Sequence, residues 1–177
     1  MKFTELTLSG AYKIEPKLFN DERGFFSIIY SEKEFNDLSL NNYWPQINNS
    51  YTLKKGTLRG LHFQYPPYSQ TKLVRVFKGA IFDVIVDLRK SSPTYSQYYS
   101  HILTEKNRTI LYVPEGFAHG FITIESNTEI IYCASSKYKP KHEGTLIWND
   151  PTININWPLE PQLMSNKDRS GKSLENL

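Results

Sequence analysis

Arg59-Gly60-Leu61-His62-Phe63-Gln64 sets one imidazole near a guanidinium, and Lys72 follows eight residues after Gln64. A single histidine among cations suits proton abstraction from an anionic substrate better than it suits a metal ion. A second histidine, His119, closes the stretch Val113-Pro114-Glu115-Gly116-Phe117-Ala118-His119-Gly120. An isolated acid, Asp168, stands in the polar run Ser165-Asn166-Lys167-Asp168-Arg169. A base, a group able to orient it, a cation and a candidate acid are therefore all available.

Each of these residues also has an ordinary structural reading. In a regular strand through 58–64 the two-residue period puts Leu58, Gly60 and His62 on one face and Arg59, Leu61 and Phe63 on the other. Arg59 and His62 can share a pocket only where that period breaks. Gly60 is the place for it, because a glycine inside a strand often marks a bulge or a close backbone approach. Otherwise His62 is a packed core histidine and Arg59 a surface ion-pair donor. His119, delivered by a turn, could equally bond a carbonyl. His101, in an outer strand, and His142, in a charged loop, look ordinary. Tyr132 shares a strand face with Ile130 and Ala134, so spacing alone makes it a core phenol. Asp168, flanked by Lys167 and Arg169, reads by composition as a solvated tail charge.

The elements that must position these groups are mostly strands. The 177 residues fit one domain, 1–177, with a core of its own. Runs rich in Val, Ile, Thr, Tyr and Phe recur between turn signals, which reads as antiparallel β structure. Strands are expected at 12–15, 24–30, 46–53, 58–64, 71–78, 80–87, 97–103, 109–113, 119–124 and 129–134. Ten short strands in one domain make a sandwich or barrel. Phe77-Lys78-Gly79-Ala80 should reverse the chain, and Ser91-Ser92-Pro93-Thr94 should break it. One short helix is expected at 31–35, where Ser31 can cap and Glu34 falls at the capping-box position. The polar segment 165–177 either frays or is held for a purpose.

Composition removes several classes of function. A net charge of +3, with both signs interspersed, argues against a nucleic-acid surface while still favouring an anionic small molecule. Cys133 is the only cysteine and cannot form an internal disulfide. No apolar run has the length of a signal peptide or a membrane span, so a cytoplasmic protein without a membrane partner is expected.

Taken together, Asp21-Glu22-Arg23-Gly24-Phe25-Phe26, the 58–64 stretch, Thr71-Lys72-Leu73-Val74, Phe82 to Lys90, Pro114-Glu115-Gly116-Phe117-Ala118-His119-Gly120-Phe121, Trp148-Asn149-Asp150 and Trp157-Pro158 resemble the cupin-type dTDP-4-dehydrorhamnose 3,5-epimerases. The resemblance implies an all-β cupin jelly-roll, or double-stranded β-helix, barrel with a few short helices. It also implies a cofactor-free isomerase acting on a nucleotide-diphosphate sugar. His62 would be the general base, Asp168 its orienting carboxylate, Lys72 the cation at the developing oxyanion and Tyr132 the acid on the opposite side of the sugar. Arg23, Arg59 and Lys167 would meet the diphosphate, and Tyr138 would stack on the base. Gln46, Asn48, His119 and Glu143 complete the implied substrate-binding set. The strand carrying Arg23 would reach a neighbour's site, which implies a homodimer.

Metal-binding cupins offer a second comparison. Where they carry a second histidine this chain has Gln64, and where they carry a glutamate it has Lys72. Only His62 and His119 remain as candidate ligands, fewer than a catalytic metal centre of the familiar kind uses, so no metal is expected. Two departures from the epimerase pattern concern recognition: Ile28 and Ile47 stand where thymidine-diphosphate members carry acids. The alternatives are an epimerase of C3 alone, an epimerase of a GDP- or CDP-linked 4-keto sugar, a metal-dependent cupin oxygenase, and a non-catalytic sugar-binding jelly roll.

Overall fold

The computed structural model describes residues 1–177. In chain order the strands are β1 (Lys2–Glu5), β2 (Tyr12–Glu15), β3 (Leu18–Asp21), β4 (Gly24–Ser27), β5 (Gln46–Thr52), β6 (Leu58–Gln64), β7 (Lys72–Lys78), β8 (Ala80–Asp87), β9 (Tyr98–Thr104), β10 (Ile110–Val113), β11 (Phe117–Thr123), β12 (Thr128–Ala134) and β13 (Glu143–Thr145). Two short helices, α1 (Glu32–Asp37) and α2 (Asn166–Arg169), complete the main elements. One sheet runs β1-β2-β10-β7-β12-β5 and the other β13-β6-β11-β8-β9, while β3 and β4 form a separate hairpin. From β6 to β8 and again from β10 to β12 the chain crosses between the two sheets. The all-β jelly-roll expectation holds.

The strands read as nearly continuous apolar runs because both faces of each sheet are covered. Val74, Val76 and Ile130 from one sheet meet Ile81, Ile85, Phe117 and Phe121 from the other, forming the interior. On the outer face of the second sheet, Leu61, Val84, Val86 and Ala118 pack beneath Trp157, Leu174 and Leu177. On the outer face of the first, Ile14, Leu73 and Ile110 pack with Phe35 of α1.

The expected break in β6 is present. Arg59 pairs with Phe121 and His62 with His119, so three steps along β6 match two along β11. Gly60 adopts φ +118°, and a Cβ there would lie 2.6 Å from the Gly120 Cα and 2.8 Å from the His119 carbonyl oxygen. The bulge therefore needs a residue without a side chain. Its effect is to let Arg59 and His62 border the same cavity.

Several expectations change. The strand expected at 24–30 ends at Ser27, and Tyr30 instead joins Phe35 and Trp44 in an aromatic cluster with ring centroids 5.0 and 6.3 Å away. Ser31 does cap α1, but Glu34 does not close a capping box; its carboxylate takes the Met1 ammonium at 3.0 Å. β1, β3, β13 and α2 were not expected. The segment 165–177 does not fray: Lys172 bridges to Leu146, and the Leu174 amide donates to Asp150 Oδ2 at 2.8 Å. No helix is long and apolar enough to cross a membrane.

Gly60→Ala should destabilise the protein by about 3 kcal/mol, combining a disfavoured positive φ with backbone overlap. Urea unfolding followed by tryptophan fluorescence checks this, and the expected result is a lower midpoint with an unchanged slope.

Candidate functional site

The interior opens at one end into a cavity of about 600 Å³. Eleven of the twelve site residues expected from the sequence border it: His62, Asp168, Tyr132, Lys72, Gln46, Asn48, Arg59, His119, Tyr138, Glu143 and Lys167. Arg23 does not. It sits at the tip of the β3–β4 hairpin with an exposed side chain, paired with Asp21 Oδ2 at 2.6 Å.

His62 Nε2 and Asp168 Oδ1 are 2.6 Å apart, although the residues lie 106 positions apart in the chain. The tail-charge reading of Asp168 is therefore overturned, since the residue is only 3 % exposed. Burial pushes its carboxyl up, but the hydrogen bond and charge of His62 and the Ser165 contact hold it below the usual carboxylate range. With Nε2–H donating to a carboxylate, the lone pair of the neutral ring lies on Nδ1. The second histidine is built the same way. His119 Nε2 meets Asp83 Oδ2 at 2.9 Å, and His119 stands directly across the ladder from His62. Asp83 is the residue that sequence reasoning missed. Its only signal was an acid in the middle of the apolar run Ala80 to Val86 of β8.

Lys72 enters from the facing sheet and is 7 % exposed. Burial drives its ammonium down from 10.5 to about 8, against the attraction of Asp83 and Glu143. Its one protein partner is the His62 carbonyl oxygen at 3.2 Å, which leaves further N–H donors for a ligand. Tyr132 lies two residues before Ala134, the partner of Lys72 across the β7–β12 ladder. It packs against the interior cluster yet borders the cavity, so the core-phenol reading is half right. Burial raises its phenol pKa, with Arg59 pulling the other way.

The mouth is polar. Glu143 receives Lys167 Nζ on Oε1 and the Tyr138 hydroxyl on Oε2, each at 2.8 Å. Gln46 accepts the Tyr138 amide at 3.0 Å and donates to Asn48 Oδ1 at 2.8 Å. The Asn48 side chain borders the cavity, and its Nδ2 is buried without a hydrogen-bond partner. Gln64, which stands at the position of a cupin metal ligand, instead fastens the loop carrying Tyr138. It donates to the Tyr68 carbonyl at 2.6 Å and accepts from the Lys139 amide at 2.6 Å. No three His, Cys, Asp or Glu side chains converge as a metal-ligand set. Chemically, this arrangement offers an oriented base, a buried cation and a phenol around a space of sugar size.

A family model described as dTDP-4-dehydrorhamnose 3,5-epimerase matches residues 5–176. The chain is 43 % identical over 175 residues to a relative of that name from Sinorhizobium fredii, covering 98 % of this chain and 90 % of the relative. It is similar to a Bacillus anthracis dTDP-4-dehydrorhamnose 3,5-epimerase structure with TDP and PPi bound, at TM-score 0.94 and 44 % identity, covering 97 % of this chain and 98 % of that one. A Legionella pneumophila 3,5-epimerase in complex with dTDP-4-keto-L-rhamnose aligns at TM-score 0.93 and 37 % identity, covering 98 % of this chain and 93 % of the other.

Burying Lys72 charged works against folding. Its fall from 10.5 to about 8 corresponds to roughly 3 kcal/mol against the protonated form below pH 8. The unfolded chain holds the proton more tightly, so this penalty is full below the folded pKa and shrinks as pH rises from about 8 toward 10.5. Lys72→Met should therefore raise stability at neutral pH, by up to about 3 kcal/mol, with the gain shrinking in alkali. Chemical denaturation at pH 7 and pH 9.5 tests both parts.

Proposed function

The chain belongs to the dTDP-4-dehydrorhamnose 3,5-epimerase family, and from that premise we propose that it inverts C3 and C5 of a nucleotide-linked 4-keto-6-deoxy sugar, with the dTDP-linked glucose derivative as the default substrate. The observation that carries this reading is the 2.6 Å contact between His62 and Asp168 at the edge of a cavity that also holds buried Lys72 and Tyr132.

His62 Nδ1 takes the proton from the carbon beside the C4 carbonyl, and Asp168 stabilises the imidazolium that results. The electron pair left by the C–H bond moves into the carbonyl, giving an enolate whose oxygen is met by the buried Lys72 ammonium. Tyr132 then gives its phenolic proton to the other face of the carbon. His62 belongs to one sheet and Tyr132 to the other, which supports opposite-face transfer. Raising the phenol pKa keeps Tyr132 protonated before the step. Exchange with solvent returns one proton to Tyr132 and removes one from His62. Because C3 and C5 both flank C4, the same pair serves both centres if the sugar shifts between steps.

Arg59 and Lys167 meet the diphosphate, Tyr138 stacks on the base, and Asn48 Nδ2, Gln46, His119 and Glu143 provide the remaining polar contacts. Arg23 acts in the site of a second copy. Supporting a homodimer with an exchanged hairpin, Phe19, Phe25, Phe26 and Ile28 are exposed on the arm that carries Arg23. β5 also has a free edge, with Ile47 and Tyr51 exposed along it. The protein would act as one 1–177 domain, in the cytoplasm, in bacterial surface-polysaccharide synthesis. Ile28 and Ile47 make the nucleotide the least constrained part of the substrate.

Turnover of the dTDP 4-keto sugar in heavy water should place deuterium at both C3 and C5, read by NMR; labelling at neither carbon would overturn the reading, and labelling at C3 alone would reduce it to a monoepimerase. His62→Asn and Tyr132→Phe should each lose roughly 10²–10⁴-fold in rate, and Lys72→Met roughly 10²–10³-fold. The GDP-, CDP- and UDP-linked sugars, run alongside, decide the base. Since the Lys72 cation of the free protein exists below its pKa and is lost above it, kcat/KM should fall as pH rises past about 8. Lys72→Arg should remove that alkaline limb.

A further inference from the structure

Asp168 sits on a single turn of helix. α2 has four residues, too few to hold a helix by its own hydrogen bonds. The chain on either side is tied to the barrel by ladder bridges, Thr57 to Leu163 and Leu146 to Lys172. Between those two ties, the side chains of α2 reach the barrel through Asp168 to His62 and through Lys167 Nζ to Glu143 Oε1, 2.8 Å long. Glu143 belongs to β13, which pairs with β6 so that Thr145 faces His62 and Glu143 faces Gln64. The carboxylate that holds Lys167 therefore stands two residues along the ladder from the base. Its own position is fixed from the other side by the Tyr138 hydroxyl on Oε2. Burial pushes the Glu143 carboxyl up, but the Lys167 and Tyr138 bonds hold it below the ordinary range, so it is ionised at neutral pH.

We propose that Glu143 is a positioning residue that, through Lys167, fixes the helical turn carrying Asp168 and so sets the alignment of Asp168 on His62. This goes beyond a direct contact with substrate, and its catalytic consequence rests on the reading of His62 as the base. Lys167 is also a cation open to the diphosphate, and its three N–H donors can hold Glu143 and a phosphate oxygen together. Substrate binding and alignment of the base are thereby coupled through a single side chain.

Glu143→Gln keeps the size and an acceptor for Tyr138 but removes the charge that holds Lys167. Steady-state kinetics on this variant, Glu143→Asp, Lys167→Met and the Glu143→Gln/Lys167→Met double variant form the test. The expected result is a kcat about tenfold lower or worse in Glu143→Gln with KM little changed or lower. Glu143→Asp should recover part of the loss, and the double variant should have a kcat no worse than Lys167→Met alone. In the ligand-free protein, the downfield His62 ring N–H proton should move in Glu143→Gln, an NMR readout that needs no turnover. A raised KM with unchanged kcat, additive losses in the double variant, or an unmoved ring proton would overturn the proposal. If wild-type protein turns over no 4-keto sugar, the epimerase reading fails while the ring proton still decides whether Glu143 positions the pair.

Discussion

The hydrogen bond between His62 and Asp168 is the constraint around which the rest of the site is arranged. It joins a central strand to a short turn far along the chain, and each partner needs its own support. On the histidine side, the bulge at Gly60 turns Arg59 and His62 toward one cavity. On the aspartate side, the ladder bridges of Leu163 and Lys172 bring the turn over the barrel mouth, and Ser165 caps it by accepting the Asp168 amide at 3.1 Å. A carboxylate brought out of water is costly unless hydrogen bonds satisfy it, and here those bonds also select the tautomer.

The two-sheet architecture gives the chemistry its geometry. Opposite walls of a barrel present side chains to opposite sides of whatever lies between them, as His62 on β6 and Tyr132 on β12 do here. The strands can be this apolar because helix α1 covers the outside of one sheet and the C-terminal segment covers the other. Polar residues on the inner face then stand out as a functional group rather than as surface. A buried lysine costs folding free energy, and no carboxylate in the structure lies within ion-pair distance of Lys72. Such a group is stabilising only when charge develops on a ligand beside it.

The strands were legible because period, β-branched content and turn residues all pointed the same way, and most boundaries fell within a residue or two. β1, β3 and β13 were hidden because each is only three or four residues long and is held by partners rather than by its own pattern. Local chemistry found Gly60, since a glycine in a strand has a mechanical meaning. Asp168 and Tyr132 could not be recovered that way. A polar neighbourhood in sequence says nothing about which distant histidine will bury a carboxylate, and a phenol spaced like core residues can border a cavity as readily as fill it. The resemblance implied those two roles; the structure places Asp168 2.6 Å from His62 and Tyr132 beside the same cavity. Asp83 lay beyond both routes, because its importance appears only once β8 and β11 are seen side by side.

The 106-position span between the two halves of the dyad bears on how the protein comes into being. During translation the imidazole emerges long before its carboxylate exists, so the barrel wall can begin to assemble around a ring with no fixed tautomer. The pair can form only late, when the segment around residue 168 leaves the ribosome and docks. A stalled or clipped product that stops short of it would lack both the carboxylate of the pair and the Leu174 and Leu177 side chains that cover the second sheet.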